Sequence, residues 1–547
     1  MTQADFIAGE LAENQHRSPH PGELELRHAQ QADVKWDGRR LTGKAKVVAG
    51  EPFKIATAEE NCNYVIGGIF IVWWDQAHDW QKGNPCQPCN EIMPILAPQL
   101  ETMTSSRRCF LKTGLTATLG VSGLWAQAPA LARKLRIAGI GVGGMGNANL
   151  GNVADEEIVA LCDVDHTFAA GTFAQFPQAK RWRDFREMLE KQPEIEAVMI
   201  ATPDHTHAAI ALAALTAGKH VYCQKPLTHD IHEARLLARA AAAAKGCVAV
   251  MGNQYHSSEG ACRVVDWVRS GVIGEVKRVI AWCSLNYRPF GNASWATLTD
   301  TPPAETPPVP ATLAWDLWLG PAKSRAYHPT YHPTRWRAWW DFGCGMMGDR
   351  GVHTLDASCW ALDLTAPATV ELLSITGANE FVHPDKAQVR YRFPARGKFP
   401  ALQLDWHSGA RPPEVDELTG DRKAGDGEGG ALIIGSRGMI SHGTYPSSQL
   451  ALHPQSLVEE ARKVPSSLPA LRGSHEAIWV AACKGDGPVS SGFAAAAALT
   501  ELTHLGNLAI HLGGRIDWDA AACQATNRPE AAALIRMPRR PGWELPG

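Results

Sequence analysis

Residues 135–146 read LRIAGIGVGGMG, and this stretch decides the fold. Its apolar side chains alternate as they do in a buried β-strand. The strand runs directly into a turn of the pattern G-x-G-x-x-G, which begins at Gly141 and ends at Gly146 at the mouth of a predicted helix. Gly141 permits the tight turn, and Gly146 lets the helix pack closely on the strand.

A second strand and an acidic residue follow at the spacing that a dinucleotide site requires. Residues 158–162 form an apolar run that ends at Asp163, about 20 residues after the first glycine, where an acid binds ribose hydroxyls. Gly143 lets the backbone approach a pyrophosphate, whose charge a helix N-terminus favours. A glycine-rich turn alone is common, but the combination predicts dinucleotide binding. Asp165 adds negative charge beside Asp163, which favours NAD over NADP.

Strand and helix patterns alternate through residues 133–256. Apolar runs at 197–201, 220–224 and 247–252 are separated by Ala- and Leu-rich helical segments. This alternation predicts a doubly wound parallel sheet of the Rossmann type, in which ligands bind at the carboxyl ends of the strands. The polar residues at those ends are Asp163, Thr202, His205, Gln224, Lys225 and Asn253.

The pattern changes after residue 256. A strand is predicted over 276–285, then a Pro- and Trp-rich stretch, a helix over 349–362, and several strands with period-two alternation. Such alternation indicates a sheet with one covered face and one freer face. Residues 411–430 are rich in Gly, Asp and Glu and predict a mobile loop. Residues 257–547 are therefore expected to form a second α/β domain.

Residues 1–102 are unassigned: they contain no glycine-rich fingerprint, and Cys86-Gln-Pro-Cys89 is a lone C-x-x-C with no second pair at zinc spacing. Residues 106–112 match the twin-arginine export pattern S-R-R-x-F-L-K, and an apolar segment and A-x-A cleavage candidates follow. This order predicts a signal peptide over 103–132, translation that starts at Met103, and a periplasmic protein. If the signal is not used, the protein is expected in the cytoplasm. Residues 1–102 would then be an over-extended start rather than a domain.

Composition limits the classes of partner. The 547 residues carry a formal net charge of −3, which gives no general electrostatic case for nucleic acid or an anionic membrane. The apolar run at 65–74 is too short to span a bilayer. Thirteen scattered cysteines do not form a disulfide framework or a zinc pattern, and we predict no metal site.

Asp349 and His353 are the strongest catalytic candidates outside the Rossmann pattern. Their i, i+4 spacing on a helix places them on one face, where a carboxylate can orient an imidazole that acts as a general base. A helix cap at Asp349 and a hydrogen-bonded core His353 would explain the same residues. The spacing alone leaves both explanations open.

Four motifs together resemble the Gfo/Idh/MocA family of NAD(P)-dependent oxidoreductases. They are the glycine-rich turn, Thr202-Pro-x-x-x-His207, Cys223-Gln-Lys-Pro226 and Asp349-x-x-x-His353. The stretches at 315–321 and 335–343 resemble an exported branch of that family. The resemblance extends from about Arg133 to Pro546. It implies a Rossmann domain followed by an α/β domain with a large open mixed sheet, through which family members form oligomers.

The resemblance also implies residue roles. Lys225, Asp349 and His353 match the family's catalytic residues. The predicted NAD-binding residues are Gly141, Gly143, Gly144, Met145, Gly146, Asp163, Thr202, Pro203, His205, His207, Gln224, Lys225 and Asn253. The family has a Glu-Lys-Pro motif where this chain has Gln224-Lys225-Pro226. The family's Glu is thus replaced by Gln224, which cannot carry a charge beside Lys225.

The implied activity is oxidation or reduction of a hydroxyl or keto group of a sugar, glycoside or polyol. Trp336, Trp339 and Trp340 could stack on a sugar ring, or line the core. Two alternatives stay open. One is a glycosidase or lyase that acts by transient oxidation, elimination and addition with NAD. The other is a non-catalytic sugar-binding protein, which Gln224 favours and the retained catalytic residues oppose.

Overall fold

The chain divides into two compact units, Met1–Ala128 and Pro129–Gly547. The structure is a computed structural model, and it describes five strands within residues 24–66 together with residues 133–287, 295–420, 423–467 and 473–546. The predicted signal peptide over 103–132 lies outside the described residues. In the first unit, β1 (Leu24–Arg27), β4 (Phe53–Thr57) and β5 (Tyr64–Ile66) form an antiparallel sheet, and β2 (Gln31–Trp36) pairs with β3 (Leu41–Lys46).

A six-stranded parallel sheet opens the second unit. Its order is β8-β7-β6-β9-β10-β11, the 3-2-1-4-5-6 arrangement of a dinucleotide-binding fold. The order reverses between β6 and β9, so a crevice opens at the carboxyl ends of these two strands. The strands are β6 (Arg136–Ile140), β7 (Glu157–Cys162), β8 (Lys180–Trp182), β9 (Ala197–Ile200), β10 (His220–Gln224) and β11 (Ala249–Gly252).

The crossover helices begin and end where local chemistry requires. Asp230 and Glu233 form a reciprocal capping box at the start of one long helix. Gly218 (φ +70°) and Gly246 (φ +82°) follow two of the helices in the left-handed conformation that favours glycine. The helices are α1 (Met145–Gly151), α2 (Ala170–Gln175), α3 (Phe185–Lys191), α4 (His207–Thr216), α5 (Ile231–Ala243) and α6 (Glu259–Arg269).

A nine-stranded mixed sheet forms the second half. Its order is β18-β17-β16-β12-β15-β14-β13-β19-β20, and only the β12–β15 pair is parallel. The predicted fold, a Rossmann sheet followed by an α/β domain with a mixed sheet, is confirmed. The strands are β12 (Val276–Cys283), β13 (Thr369–Thr376), β14 (Lys386–Phe393), β15 (Leu402–Ser408), β16 (Gly429–Gly435), β17 (Met439–His442), β18 (Ala451–His453), β19 (Arg515–Asp519) and β20 (Gln524–Ala525).

Two local predictions were wrong. The helix predicted over 349–362 begins earlier, at Gly345, and is divided into three short pieces by breaks at Arg350 and Leu355. Gly351, whose helix propensity is low, follows the first break. The stretch predicted as a mobile loop over 411–430 contains a helix whose Val415 packs against Trp282 of the sheet. The remaining helices are α7 (Trp315–Leu319), α8 (Gly345–Asp349), α9 (Gly351–Thr354), α10 (Asp356–Ala361), α11 (Glu414–Thr419), α12 (Val458–Ala461), α13 (His475–Cys483), α14 (Phe493–Leu512) and α15 (Ala532–Ile535).

Helix α13 lies late in the chain but packs on the Rossmann sheet. Its Trp479 and Val480 share one apolar cluster with Ile137 of β6 and Tyr222 of β10. Among the described residues, no helix combines the length and apolar character that a membrane span requires. The same residues hold no group of three or more His, Cys, Asp or Glu side chains placed to bind a metal.

Candidate active site

A cleft of about 190 Å³ opens at the carboxyl ends of β6 and β9, where the strand order reverses. Most of the residues predicted from the sequence meet there. Gly146, His205, His207, Asn253 and His353 do not line it. The predicted residues that line the cleft are Gly141, Gly143, Gly144, Met145, Asp163, Thr202, Pro203, Gln224, Lys225 and Asp349.

The glycine-rich turn has the geometry that its sequence predicts. Gly141 has φ +73°, and a Cβ there would lie 2.8 Å from the backbone of Ala201 and Thr202. A Cβ on Gly146 would lie 1.9 Å from the Gly141 carbonyl oxygen. The turn therefore brings bare backbone to the cleft wall, as a pyrophosphate-binding site requires. In this structure the Phe168 ring rests against Gly143, within 2.2 Å of where a Cβ would be.

Asp163 follows β7 and faces the same turn. Its carboxylate accepts hydrogen bonds from the backbone N–H groups of Val142 (2.8 Å), Gly143 (3.3 Å) and Asp165 (2.9 Å). Burial raises the pKa of Asp163 to about 6, although these N–H donors act in the opposite direction. Oδ2 accepts two of these bonds and Oδ1 only one, so Oδ1 keeps a lone pair with which Asp163 can accept from a ribose hydroxyl. The turn and this acid together fit a dinucleotide.

Lys225 and Asp349 form an ion pair beside this turn. Lys225 Nζ donates to Asp349 Oδ1 at 2.5 Å and to the Asp349 backbone oxygen at 3.0 Å. Burial alone would raise the pKa of Asp349, but the charges of Lys225, Arg337 and Arg350 hold it well below its usual range. Asp349 is therefore a carboxylate whose described hydrogen bond goes to Lys225, whereas the i, i+4 spacing had suggested His353.

His353 lies on α9, one short helix beyond Asp349. It is buried, and its Nδ1 has no hydrogen-bond partner among the described residues. Burial lowers the pKa of His353 well below its usual value, and the nearby Lys225 charge adds to this effect. The rings of Tyr255 and Tyr445 stack on each other at 3.8 Å and contact His353 edge to face. The imidazole is thus neutral at pH 7.

Three residues predicted to bind the cofactor contact backbone oxygens near the site and do not line the cleft. Asn253 donates to the backbone oxygen of Val352 (3.1 Å), immediately before His353. Both ring nitrogens of His207 lie within 3.0 Å of backbone oxygens, those of Pro226 (2.8 Å) and Thr202 (2.9 Å). His205 is buried, with Nε2 3.0 Å from the Trp318 backbone oxygen. A direct contact of any of the three with a cofactor stays a prediction.

The three tryptophans before α8 have different environments. Trp336 lines the cleft, with the Arg337 guanidinium 4.3 Å from its ring centroid. Trp339 is buried and donates to the Thr330 backbone oxygen (3.0 Å). Trp340 lies against His383 in a separate cavity. Only Trp336 is therefore placed to stack on a ligand in the cleft.

Sequence reasoning missed several cleft residues. Arg183 and Asp184 line it just after β8, a strand too short to show a pattern. Asp204 lines it too, and burial together with the Asp349 charge raises its pKa to about 7. The Thr-Pro-Asp sequence after a buried strand was the only signal for Asp204. Other lining residues that were missed include Phe168, Trp318, His332, Arg337 and Trp543.

Comparison with known families decides the relationship. Residues 135–252 match the model of an oxidoreductase family's NAD-binding Rossmann fold, and residues 266–393 match the C-terminal α/β domain of the same family, Gfo/Idh/MocA. The chain belongs to the Gfo/Idh/MocA oxidoreductase family. The matched Rossmann domain is the family's NAD-binding domain, and the assignment of the glycine-rich turn and Asp163 as the residues that would hold NAD stays a prediction.

Characterised relatives of this Gfo/Idh/MocA protein match over part of their length. Levoglucosan dehydrogenase of Pseudarthrobacter phenanthrenivorans is 30% identical over 21% of this chain and 29% of the relative. Inositol 2-dehydrogenase of Rubrobacter xylanophilus is 34% identical over 20% of this chain and 31% of the relative. The chain thus matches about a third of the length of these relatives.

Solved structures extend the likeness in fold. The WlbA dehydrogenase of Chromobacterium violaceum, in complex with NADH and UDP-GlcNAcA, aligns with a TM-score of 0.50 at 16% identity. The alignment covers 72% of this chain and 98% of that one. At this identity the likeness shows the two-domain fold alone.

Proposed function

We propose that the protein is an NAD-dependent dehydrogenase that oxidises or reduces a hydroxyl or keto group of a sugar, glycoside or polyol. The observation that carries the proposal is the Lys225–Asp349 pair, which lines the same cleft as the glycine-rich turn. A cation held at 2.5 Å by a carboxylate, beside a dinucleotide turn, is suited to bind a reacting oxygen. Two relatives are a levoglucosan dehydrogenase and an inositol 2-dehydrogenase, which supports this substrate class.

The side chains divide the proton chemistry between them. Lys225 Nζ has three N–H donors, and two of them are directed to Asp349, so one is left for the substrate oxygen. Neutral His353 accepts the hydroxyl proton as general base in the oxidation direction. Asp349 fixes the position of Lys225 and balances its charge. Bound NAD supplies the hydride acceptor.

The surroundings support a carbohydrate substrate. The flat face of Trp336 on the cleft wall can stack on the C–H groups of a pyranose ring. Asp204 and Arg337 add a carboxyl group and a guanidinium group to the same wall, and these hydrogen-bonding groups suit a ligand with several hydroxyl groups.

Export and assembly are parts of the same proposal. The twin-arginine pattern at 106–112 supports export, and that pathway carries folded proteins, so NAD would be loaded before export. Leu373 and Ile375 of β13, in the mixed sheet, are each 38% exposed, which supports assembly into homo-oligomers.

The test is product analysis with purified protein. A panel of glycosides and polyols is incubated with and without added NAD, and products are identified by mass spectrometry. The proposal predicts a keto-sugar together with NADH. Cleavage of a glycoside without net NADH would support the transient-oxidation alternative. Binding of sugars without any turnover would support the non-catalytic alternative, and Lys225→Met serves as the inactive control.

A further inference from the structure

Gln224 stands where the family's motif has a glutamate. Asn149 links it by hydrogen bonds to a carboxylate from a distant part of the chain. Glu476, on α13, is 1% exposed. Its Oε1 accepts from Asn149 Nδ2 (2.7 Å) and from the Tyr222 hydroxyl (3.1 Å), and its Oε2 accepts from Asn152 Nδ2 (3.2 Å). Asn149 in turn accepts from Gln224 Nε2 at 2.9 Å through its Oδ1.

The direction of these hydrogen bonds follows from the carboxylate. An ionised carboxylate only accepts hydrogen bonds, so Asn149 must turn its NH₂ group toward Glu476. Its oxygen then faces Gln224, and that oxygen can only receive the NH₂ group of Gln224. Oε1 of Gln224 accepts the Lys225 backbone N–H at 3.2 Å and keeps a second lone pair.

We infer that Glu476 is a positioning residue that fixes the Gln224 amide so that its carbonyl oxygen, rather than its nitrogen, serves the NAD cleft. An amide held in this way presents the same acceptor that a glutamate would, without placing a charge beside Lys225. Where the family's motif has a carboxylate on the cleft wall, this chain has its carboxylate at Glu476, buried inside the protein. This inference rests on the proposed NAD site.

The packing around Gln224 supports a fixed amide. Gly252 of β11 lies beside it, and a Cβ there would approach Gln224 Nε2 to 3.1 Å and the Tyr222 ring to 2.8 Å. Buried hydrogen-bond networks of this kind are costly to leave half satisfied. Reversal of one amide would place two donors or two acceptors against each other, so the whole network keeps one orientation.

The test exchanges the two ends of the network. Glu476→Gln and Gln224→Glu are made singly and together, and the dissociation constant for NAD is measured by isothermal titration calorimetry. In Gln224→Glu, two carboxylates compete for the donors of Asn149. In Glu476→Gln, no carboxylate fixes the orientation of the Asn149 side-chain amide. Each single variant should bind NAD about tenfold more weakly, the effect of one lost charged hydrogen bond. The double variant, in which all directions reverse together, should return to within about threefold of wild type.

A matched control separates positioning from docking of α13. Lys484, the C-cap residue that follows α13, pairs with Glu156 at 2.6 Å and also ties this helix to the Rossmann domain. Glu156→Gln should lower the thermal midpoint as Glu476→Gln does but leave NAD affinity unchanged. If Glu476→Gln does not fold, Gln224→Glu still decides, because it should bind NAD more weakly at pH 8 than at pH 6, where one carboxylate of the pair gains a proton.

The outcomes distinguish this inference from the proposed function. Wild-type protein that fails to bind NAD would overturn both. Wild-type protein that binds NAD, with Gln224→Glu binding as tightly or more tightly, would overturn the role of Glu476 alone. The same holds if the double variant is no better than the two single variants.

Discussion

Gly146→Ala should damage the NAD site through a clash with backbone. The new Cβ would lie 1.9 Å from the Gly141 carbonyl oxygen, and contacts under 3.0 Å essentially never occur for real Cβ atoms. The helix start and the turn must therefore separate by about 1.1 Å. Gly141 cannot yield freely, because its N–H donates to Cys162 O at 2.8 Å and its φ is +73°.

The size of the effect follows from this displacement. Overpacking of this kind costs about 1–3 kcal/mol. Expressed at the cofactor site, that energy corresponds to an NAD dissociation constant about 5 to 150 times larger. Calorimetric titration with NAD measures the affinity, and a thermal melt without NAD measures the cost to the fold, which we expect as a lower midpoint.

The control for this prediction lies in the same helix. Gly151 ends α1, and no atom lies within 4 Å of a Cβ there. Gly151→Ala should keep NAD affinity and raise stability by up to about 1 kcal/mol, the helix propensity of Ala over Gly. Wild-type NAD affinity and an unchanged midpoint in Gly146→Ala would refute the assignment of this turn as the pyrophosphate cradle.

Three further predictions follow from the site. Lys225→Met and His353→Ala should each lower turnover more than about a hundredfold while NAD affinity stays within a few fold, since neither belongs to the glycine-rich turn; steady-state kinetics of His353→Ala near the wild-type rate would place the base elsewhere. NAD should bind more tightly than NADP because Asp163 disfavours a 2′-phosphate, and equal affinities in calorimetry would instead implicate Arg183 as a phosphate ligand. Stability should fall as the pH drops from 7 to 5. In that range the unfolded chain protonates imidazoles, whose ordinary pKa is about 6.5, that burial keeps neutral in the fold. Buried carboxyl groups with pKa values raised to about 6 or 7 (Asp163, Asp204, Asp230) act in the opposite direction but are fewer. A thermal midpoint that is constant or higher at pH 5 would contradict this balance. The imidazoles are His205, His207, His353, His383, His442 and His504.

The sequence predicted the Rossmann half well, because each of its signals is local. A strand, a glycine turn and a following acid are contiguous, and the structure places Gly141, Asp163 and Thr202 on one cleft. The partner of Asp349 could not be read in the same way. Lys225 lies 124 residues away along the chain, and only the packed fold brings its ammonium to the carboxylate.

Non-local packing also explains the other differences. The spacing of Asp349 and His353 assumed a continuous helix, whereas Arg350 interrupts it. Trp336 and Trp339 are three residues apart and equally apolar, yet only Trp336 reaches the cleft. Nothing in residues 475–483 indicates that they pack on the first sheet, because an apolar helix does not specify which surface it covers.

Helix α13 gives this protein a particular order of assembly. Asn149 and Glu476 are 327 residues apart, and the apolar face that Trp479 covers belongs to the first sheet of the second unit. During synthesis the amino-terminal part of that sheet leaves the ribosome long before its cover does. The amide at Gln224 thus acquires its fixed orientation only when nearly the whole polypeptide is available, which makes cofactor loading an event that follows translation rather than accompanies it.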